Sequence, residues 1–148
     1  MADLSDLYAP LIREHGGNPR NLGALAGATH RARGDNPLCG DTVELRLCCD
    51  GTTILEARFD GRSCALCTAS ASLLTEAVRG KSIIATVELR ERLEELVSTD
   101  GGASTESLGE LAVLTAVRAF PSRRRCVLLP WRALGAALAG ETGTVTTE

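Results

Sequence analysis

The sequence predicts an α+β domain in which a small antiparallel β-sheet packs against helices. Three observations predict it. Residues 42–60 alternate apolar and polar positions over two runs joined at Asp50-Gly51. From about Cys64 the apolar period changes from two to 3.6, the signature of a helix. Later segments rich in Leu and Ala repeat that helical spacing with turn residues between them.

The elements follow in order. Residues 3–15 read as an amphipathic helix with Leu4, Leu7, Leu11 and Ile12 on one stripe, ended by His15-Gly16-Gly17-Asn18-Pro19. A glycine-spotted loop is expected from there to Cys39. In the following hairpin, Val43, Leu45, Leu47 and Cys49 face the core, with Glu44, Arg46 and Cys48 opposite. On its return strand Leu55, Ala57 and Phe59 are expected inside, and Glu56, Arg58 and Asp60 outside. A helix then carries Leu66, Ala69, Leu73 and Ala77 along one stripe, with Gly80 at the C-terminal cap position. The stretch Thr86–Val97 is a surface helix with Leu89, Leu93 and Leu96 on one face, and Glu88 placed four before Arg92. After the polar linker STDGGASTE, a helix is expected from near Ser107, where Ser107 and Glu110 have capping-box spacing. It is apolar nearly all round, hence central, and Pro121 ends it. A last helix from about Ser122 carries Cys126. Residues 1–148 are expected to form one domain, with frayed ends at 1–3 and 140–148.

A chain of 148 residues buries about 70% of its unfolded surface and needs no disulfide staples. Net charge is −3, and the only dense basic run is Arg123-Arg124-Arg125, which argues against a nucleic-acid surface. No apolar run approaches the ~18–20 residues of a membrane span, and the first residues fit neither a signal nor a transit peptide. The expected setting is the cytoplasm, where six cysteines are reduced, metal-binding or reactive.

Three of those cysteines lie at element boundaries. Cys39 is in a loop before a strand, one glycine away from Asp41. Cys64 opens a helix, where the dipole favours thiolate. Cys126 falls near the start of the last helix, after three arginines. Cys49 reads as a small core residue, and Cys48 points to the opposite face. Cys64 and Cys67 form a C-x-x-C, but the preceding strands make a hairpin instead of a βαβ unit, and no aromatic residue flanks the motif. That setting argues against a thioredoxin-like pair. Cys39, Asp41, Cys64 and Cys126 could form a tetrahedral zinc site. Their spacing matches no standard zinc signature, so scattered core thiols remain the alternative.

The segments EHGGNPRNLG, DNPLCGD, FDGRSCALCTASASLL and LGELAVLTAVRAFPSRRRCVLLPW occur in this order between about Leu4 and Ala139. In that combination the chain resembles the IscU/SufU (NifU N-terminal-like) family of iron–sulfur cluster assembly proteins. The long span between Cys64 and Cys126, and Arg125 where IscU-like scaffolds carry His, are similar to the SufU-type branch. The resemblance implies the α+β fold shared with SufE- and NifU-like proteins. It implies that Cys39, Asp41, Cys64 and Cys126 are metal ligands, for zinc (Zn2+) or alternatively for a 2Fe–2S cluster or Fe2+.

It further implies a sulfurtransferase in which Cys39 accepts sulfur from a PLP-dependent, SufS-like cysteine desulfurase. The sulfur then passes to a downstream Fe–S scaffold or apo-protein. Arg123, three residues before Cys126, matches a basic position of the family and is a candidate contact to the site or the partner. A solvated basic patch is the alternative. Cys67 departs from the family pattern. Pro130 is expected to kink the last helix, because an interior proline costs ~3 kcal/mol. His15 is read as a structural hydrogen-bonder. Two other functions stay open: a scaffold on which a 2Fe–2S cluster is assembled, and a metal-stabilised interaction module without chemistry.

Overall fold

In a computed structural model, which describes residues 8–99, 104–141 and 143–147, a four-stranded sheet carries the helices. The elements are α1 (Pro10–Gly17), β1 (His30–Asn36), β2 (Asp41–Asp50), β3 (Thr53–Arg62), α2 (Ala65–Val78), α3 (Ile83–Ser98), α4 (Arg124–Leu138) and β4 (Thr144–Val145). Between α3 and α4 run a 3₁₀ segment, Glu106–Ala119, and a 3₁₀ turn, Pro121–Arg123. The sheet order is β3-β2-β1-β4, with β4 parallel to β1 and the other pairs antiparallel. Leu4, Leu7 and the 1–3 end lie outside the described residues.

The inner face of the sheet, with Val43, Leu45, Leu47, Ile54, Ala57 and Phe59, forms one core with Leu66, Leu73 and Leu74 of α2 and Leu129, Trp131 and Leu134 of α4. β2 follows the expected alternation. β3 departs from it at one end, where Cys48 pairs with Glu56 but Cys49 pairs with Ile54. Leu55 is the extra residue of this bulge, and the local shift turns it outward, leaving it 53% exposed while Ile54 is buried. Cys49 is half-buried against the core instead of fully within it.

The expected loop before Cys39 contains a strand. β1 has the sequence HRARGDN, and only Ala32, Gly34 and Asn36 face inward. Gly34 has a packing reason, because a Cβ there would lie 2.8 Å from Leu129 Cδ1. β1 and α4 therefore meet more closely than a side chain would allow. At the other end of the chain, Thr144 and Val145 pair with Arg33 and Gly34, where fraying was expected.

Ser82 caps α3 by accepting the Ala85 N–H at 3.1 Å, which starts this helix earlier than its apolar stripe. Arg92 pairs with Glu95, whereas the spacing pointed to Glu88. The central helix expected from Ser107 is instead a succession of 3₁₀ turns without a side-chain cap, broken at Gly109, whose φ is +57°. It still buries Leu108, Leu111, Leu114 and Val117. α4 continues through Pro130. Beside that point the Ser70 hydroxyl donates to the Val127 carbonyl at 2.7 Å and accepts from Trp131 Nε1 at 3.1 Å.

Candidate metal centre

The four-residue connection between β1 and β2 carries the first half of the site. Pro37 follows Asn36, and Gly40 adopts a φ of +78° that a residue with a Cβ rarely takes. The turn closes through the Gly40 N–H, which donates to the Asn36 carbonyl at 2.8 Å. Cys39 is exposed, and its Sγ lies 3.7 Å from the same carbonyl. Leu38 beside it is 77% exposed. Asp41, the first residue of β2, is buried and points the other way.

Cys64 is the N-cap of α2. Its backbone N–H donates to Asp41 Oδ1 at 2.8 Å, and its Sγ lies 3.6 Å from Asp41 Oδ2. Cys126 enters from the first turn of α4 and is buried. Ligand atoms of Asp41, Cys64 and Cys126 all lie within 4.8 Å of one another. A hydrogen bond from Cys126 lowers the Cys64 thiol to about 7, against burial and the Asp41 charge, with help from the Cys67 N–H at 3.4 Å. Cys126 is correspondingly pushed up, because it holds the proton that Cys64 shares and is itself desolvated. Two thiols and a carboxylate gathered in this way, one thiol already poised as thiolate, suit a thiophilic divalent cation.

Of the four ligands named from the resemblance, the fold brings together Asp41, Cys64 and Cys126, and leaves Cys39 on the surface outside that group. Cys67 is sealed in the core with its thiol raised by burial. Arg123 is half-buried at the entry to α4. His15 is buried and its Nδ1 lies 2.7 Å from Ser72 Oγ, the structural role expected of it. The sequence offered less notice of Asn36. It is fully buried beneath the Cys39 turn, and its Nδ2 reaches the carbonyl of Arg125, next to Cys126, at 3.5 Å. Its place before Pro37 was the only signal.

Fold and site together define a small α+β protein that presents a Cys₂Asp group at the junction of a sheet, a helix start and a second helix. The chain belongs to the NifU-like N terminal domain family, which matches residues 7–127. It is 34% identical over 142 residues to the zinc-dependent sulfurtransferase SufU of Bacillus subtilis (strain 168), covering 96% of each chain. It is 33% identical over 138 residues to the iron–sulfur cluster assembly scaffold protein IscU of Streptococcus pyogenes serotype M1, covering 93% of this chain and 86% of that one.

Among solved structures, FiSufU of the thermophile Fervidobacterium islandicum AW-1 superposes with a TM-score of 0.84 at 28% identity, over 92% of this chain and 99% of that one. The N-terminal part of a NifU-like protein from Brucella abortus superposes equally well, with a TM-score of 0.84 over 93% of this chain and 95% of that one. Its 24% identity speaks for the fold alone. The resemblance to the IscU/SufU family and the α+β fold it implied both hold. No helix among the described residues is long and apolar enough to cross a membrane.

Proposed function

We propose that this chain is a zinc-dependent sulfurtransferase of iron–sulfur cluster assembly. Asp41, Cys64 and Cys126 hold the metal, Cys39 completes the site from its turn, and Cys39 is the sulfur acceptor. The observation that carries this reading is the separation of roles: three donors within 4.8 Å of one another, and the fourth thiol exposed on an adjoining turn. Bound zinc would keep Cys39 deprotonated yet shielded until a donor docks. The Cys39 thiolate then attacks the outer sulfur of a persulfide on a SufS-like cysteine desulfurase. A sulfur–sulfur bond to Cys39 forms as the donor's sulfur–sulfur bond breaks, and the donor cysteine leaves as thiolate, so no external oxidant is needed.

Leu38 offers an apolar contact beside the acceptor, and Arg123 a cationic one at the entry to α4. The sulfur goes on to a downstream Fe–S scaffold or apo-protein. We place the protein in the cytoplasm, where thiols stay reduced.

Metal content and the visible spectrum of the purified protein test the first half of the proposal. One equivalent of colourless, tightly held zinc is expected. A brown protein with sulfide-to-iron absorption would instead support the 2Fe–2S scaffold, the reading favoured by the 33% identity to IscU of Streptococcus pyogenes. Incubation with desulfurase and cysteine, followed by intact mass measurement, tests the second half. Wild type is expected to gain sulfane sulfur and Cys39→Ala to gain none. Equal gain by both would remove Cys39 from its role, and no gain by any variant would leave a metal-stabilised interaction module.

A further inference from the structure

The two halves of the metal centre are carried by parts of the chain that pack closely further along, at Gly34 and Leu129, while the site end is joined by polar contacts. Cys39 and Asp41 sit on the β1–β2 turn, and Cys126 sits on α4. One direct bond between those parts, Asn36 Nδ2 to the Arg125 carbonyl, is a long 3.5 Å. Further hydrogen bonds come from the segment that follows α4. β4 lies parallel to β1, and beyond it the Thr147 N–H donates to Asn36 Oδ1 at 3.0 Å. The Thr147 hydroxyl is 2.8 Å from Asn36 Oδ1 and 3.0 Å from the Arg125 carbonyl, placed to donate to either. Thr146 Oγ1 adds a third donor to Asn36 Oδ1 at 3.3 Å.

Asn36 is 0% exposed. Its side chain is held by this segment, while its carbonyl holds the Gly40 N–H and lies nearest the Cys39 thiol. One residue thus ties the Cys39 turn to the last strand.

We propose that residues 144–147 are a latch on the metal centre, with Asn36 and Thr147 as positioning residues that fix the Cys39–Asp41 turn against Cys126. A two-residue strand has little stability of its own, so the latch opens far more readily than the core. Opening it strips the buried Asn36 Oδ1 of its donors and frees the turn. The metal is then gripped less firmly and Cys39 becomes more reactive. This rests on Asp41, Cys64 and Cys126 being a metal centre.

The test compares full-length wild type with Thr147→Val, Thr147→Ser and Val145→Pro, which removes a strand N–H. Three rates are read: zinc transfer to a chelator from the loaded protein, alkylation of Cys39, and amide exchange of Gly40 in the metal-free protein. Leu45 amide exchange serves as the monitor of global opening. Losing one hydrogen bond corresponds to about fivefold, so Thr147→Val is expected to speed all three by roughly that factor while Leu45 is unchanged. Thr147→Ser, which keeps the hydroxyl, is expected to restore rates close to wild type, and Val145→Pro to exceed Thr147→Val. Zinc, Cys39 and Gly40 rates within about twofold of wild type in Thr147→Val and Val145→Pro, less than one hydrogen bond is worth, would overturn the latch. Should wild type bind no zinc, the proposed function falls. The latch is then decided by Gly40 exchange and Cys39 alkylation alone.

Discussion

Asp41 and Cys64 are joined at two points: the Cys64 N–H donates to one carboxylate oxygen at 2.8 Å, and the thiol lies 3.6 Å from the other. The carboxylate therefore has two separable duties, one to the start of α2 and one to the proposed metal site. Asp41→Asn keeps an acceptor for the Cys64 N–H but loses the charge. It is expected to stay within about 1 kcal/mol of wild type in urea unfolding of the metal-free protein, while zinc affinity falls. Asp41→Ala loses both and is expected to cost a further 1–3 kcal/mol or so. Equal stability of the two variants would show that the N–H contact contributes nothing.

In the metal-free protein Cys64 ionises near 7 instead of at its ordinary 9.0 because Cys126 donates to it. Cys126→Ala removes that donor, so the midpoint is expected to rise toward 9.0. Thiolate absorbance against pH, with the other cysteines as background, checks this. The stability linkage has the same origin. The folded value lies below the unfolded one, so the Cys64 contribution is complete above 9.0 and is lost as pH falls through about 7. A midpoint unchanged by Cys126→Ala would assign the shift to another cause.

His15 is held below its ordinary 6.5, chiefly by burial and also by Arg20. Its neutral ring is the folded form, so stability is full above 6.5 and declines as pH falls below it. His15→Gln is expected to flatten that part of the profile of Tm against pH. An unaltered acid limb would show that another group governs it.

Ser70 links α2 to α4 through two bonds, to the Val127 carbonyl and from Trp131 Nε1. Ser70→Ala leaves the buried Trp131 Nε1 without this acceptor and the Val127 carbonyl without this donor, and is expected to cost roughly 1–3 kcal/mol. Chemical denaturation of the metal-free protein measures it. A loss under about 1 kcal/mol would mean that water replaces the hydroxyl.

Legibility in the sequence followed side-chain contrast. β2 was readable because Val43, Leu45 and Leu47 alternate with charged residues. β1 was not, because its inward positions are Ala32, Gly34 and Asn36, which carry no apolar alternation. Leu55 was misplaced because a bulge changes the phase without altering composition. The segment around Gly109 has helical spacing, and its break rests on a backbone angle that the apolar pattern does not encode. At the site, boundary positions marked Cys39, Cys64 and Cys126 as unusual and allowed a zinc site with Asp41, yet only the family likeness favoured that over scattered core thiols. The segments are far apart in sequence, and no local period links them. Asn36 and Thr147 were overlooked for the same reason: their partnership exists only once β4 lies beside β1.

Gly34 carries no reactive group, yet its missing Cβ leaves room for Leu129 of α4 against the sheet. Leu129 occupies the room a Cβ would need, and Cys126 lies one helical turn before Leu129. A side chain at position 34 would have to displace the Leu129 side chain, one helical turn from Cys126. The fit of α4 on the sheet near the candidate site thus uses a space left empty at position 34. A purely steric substitution there would disturb the packing beside Cys126 without altering any of the candidate donors.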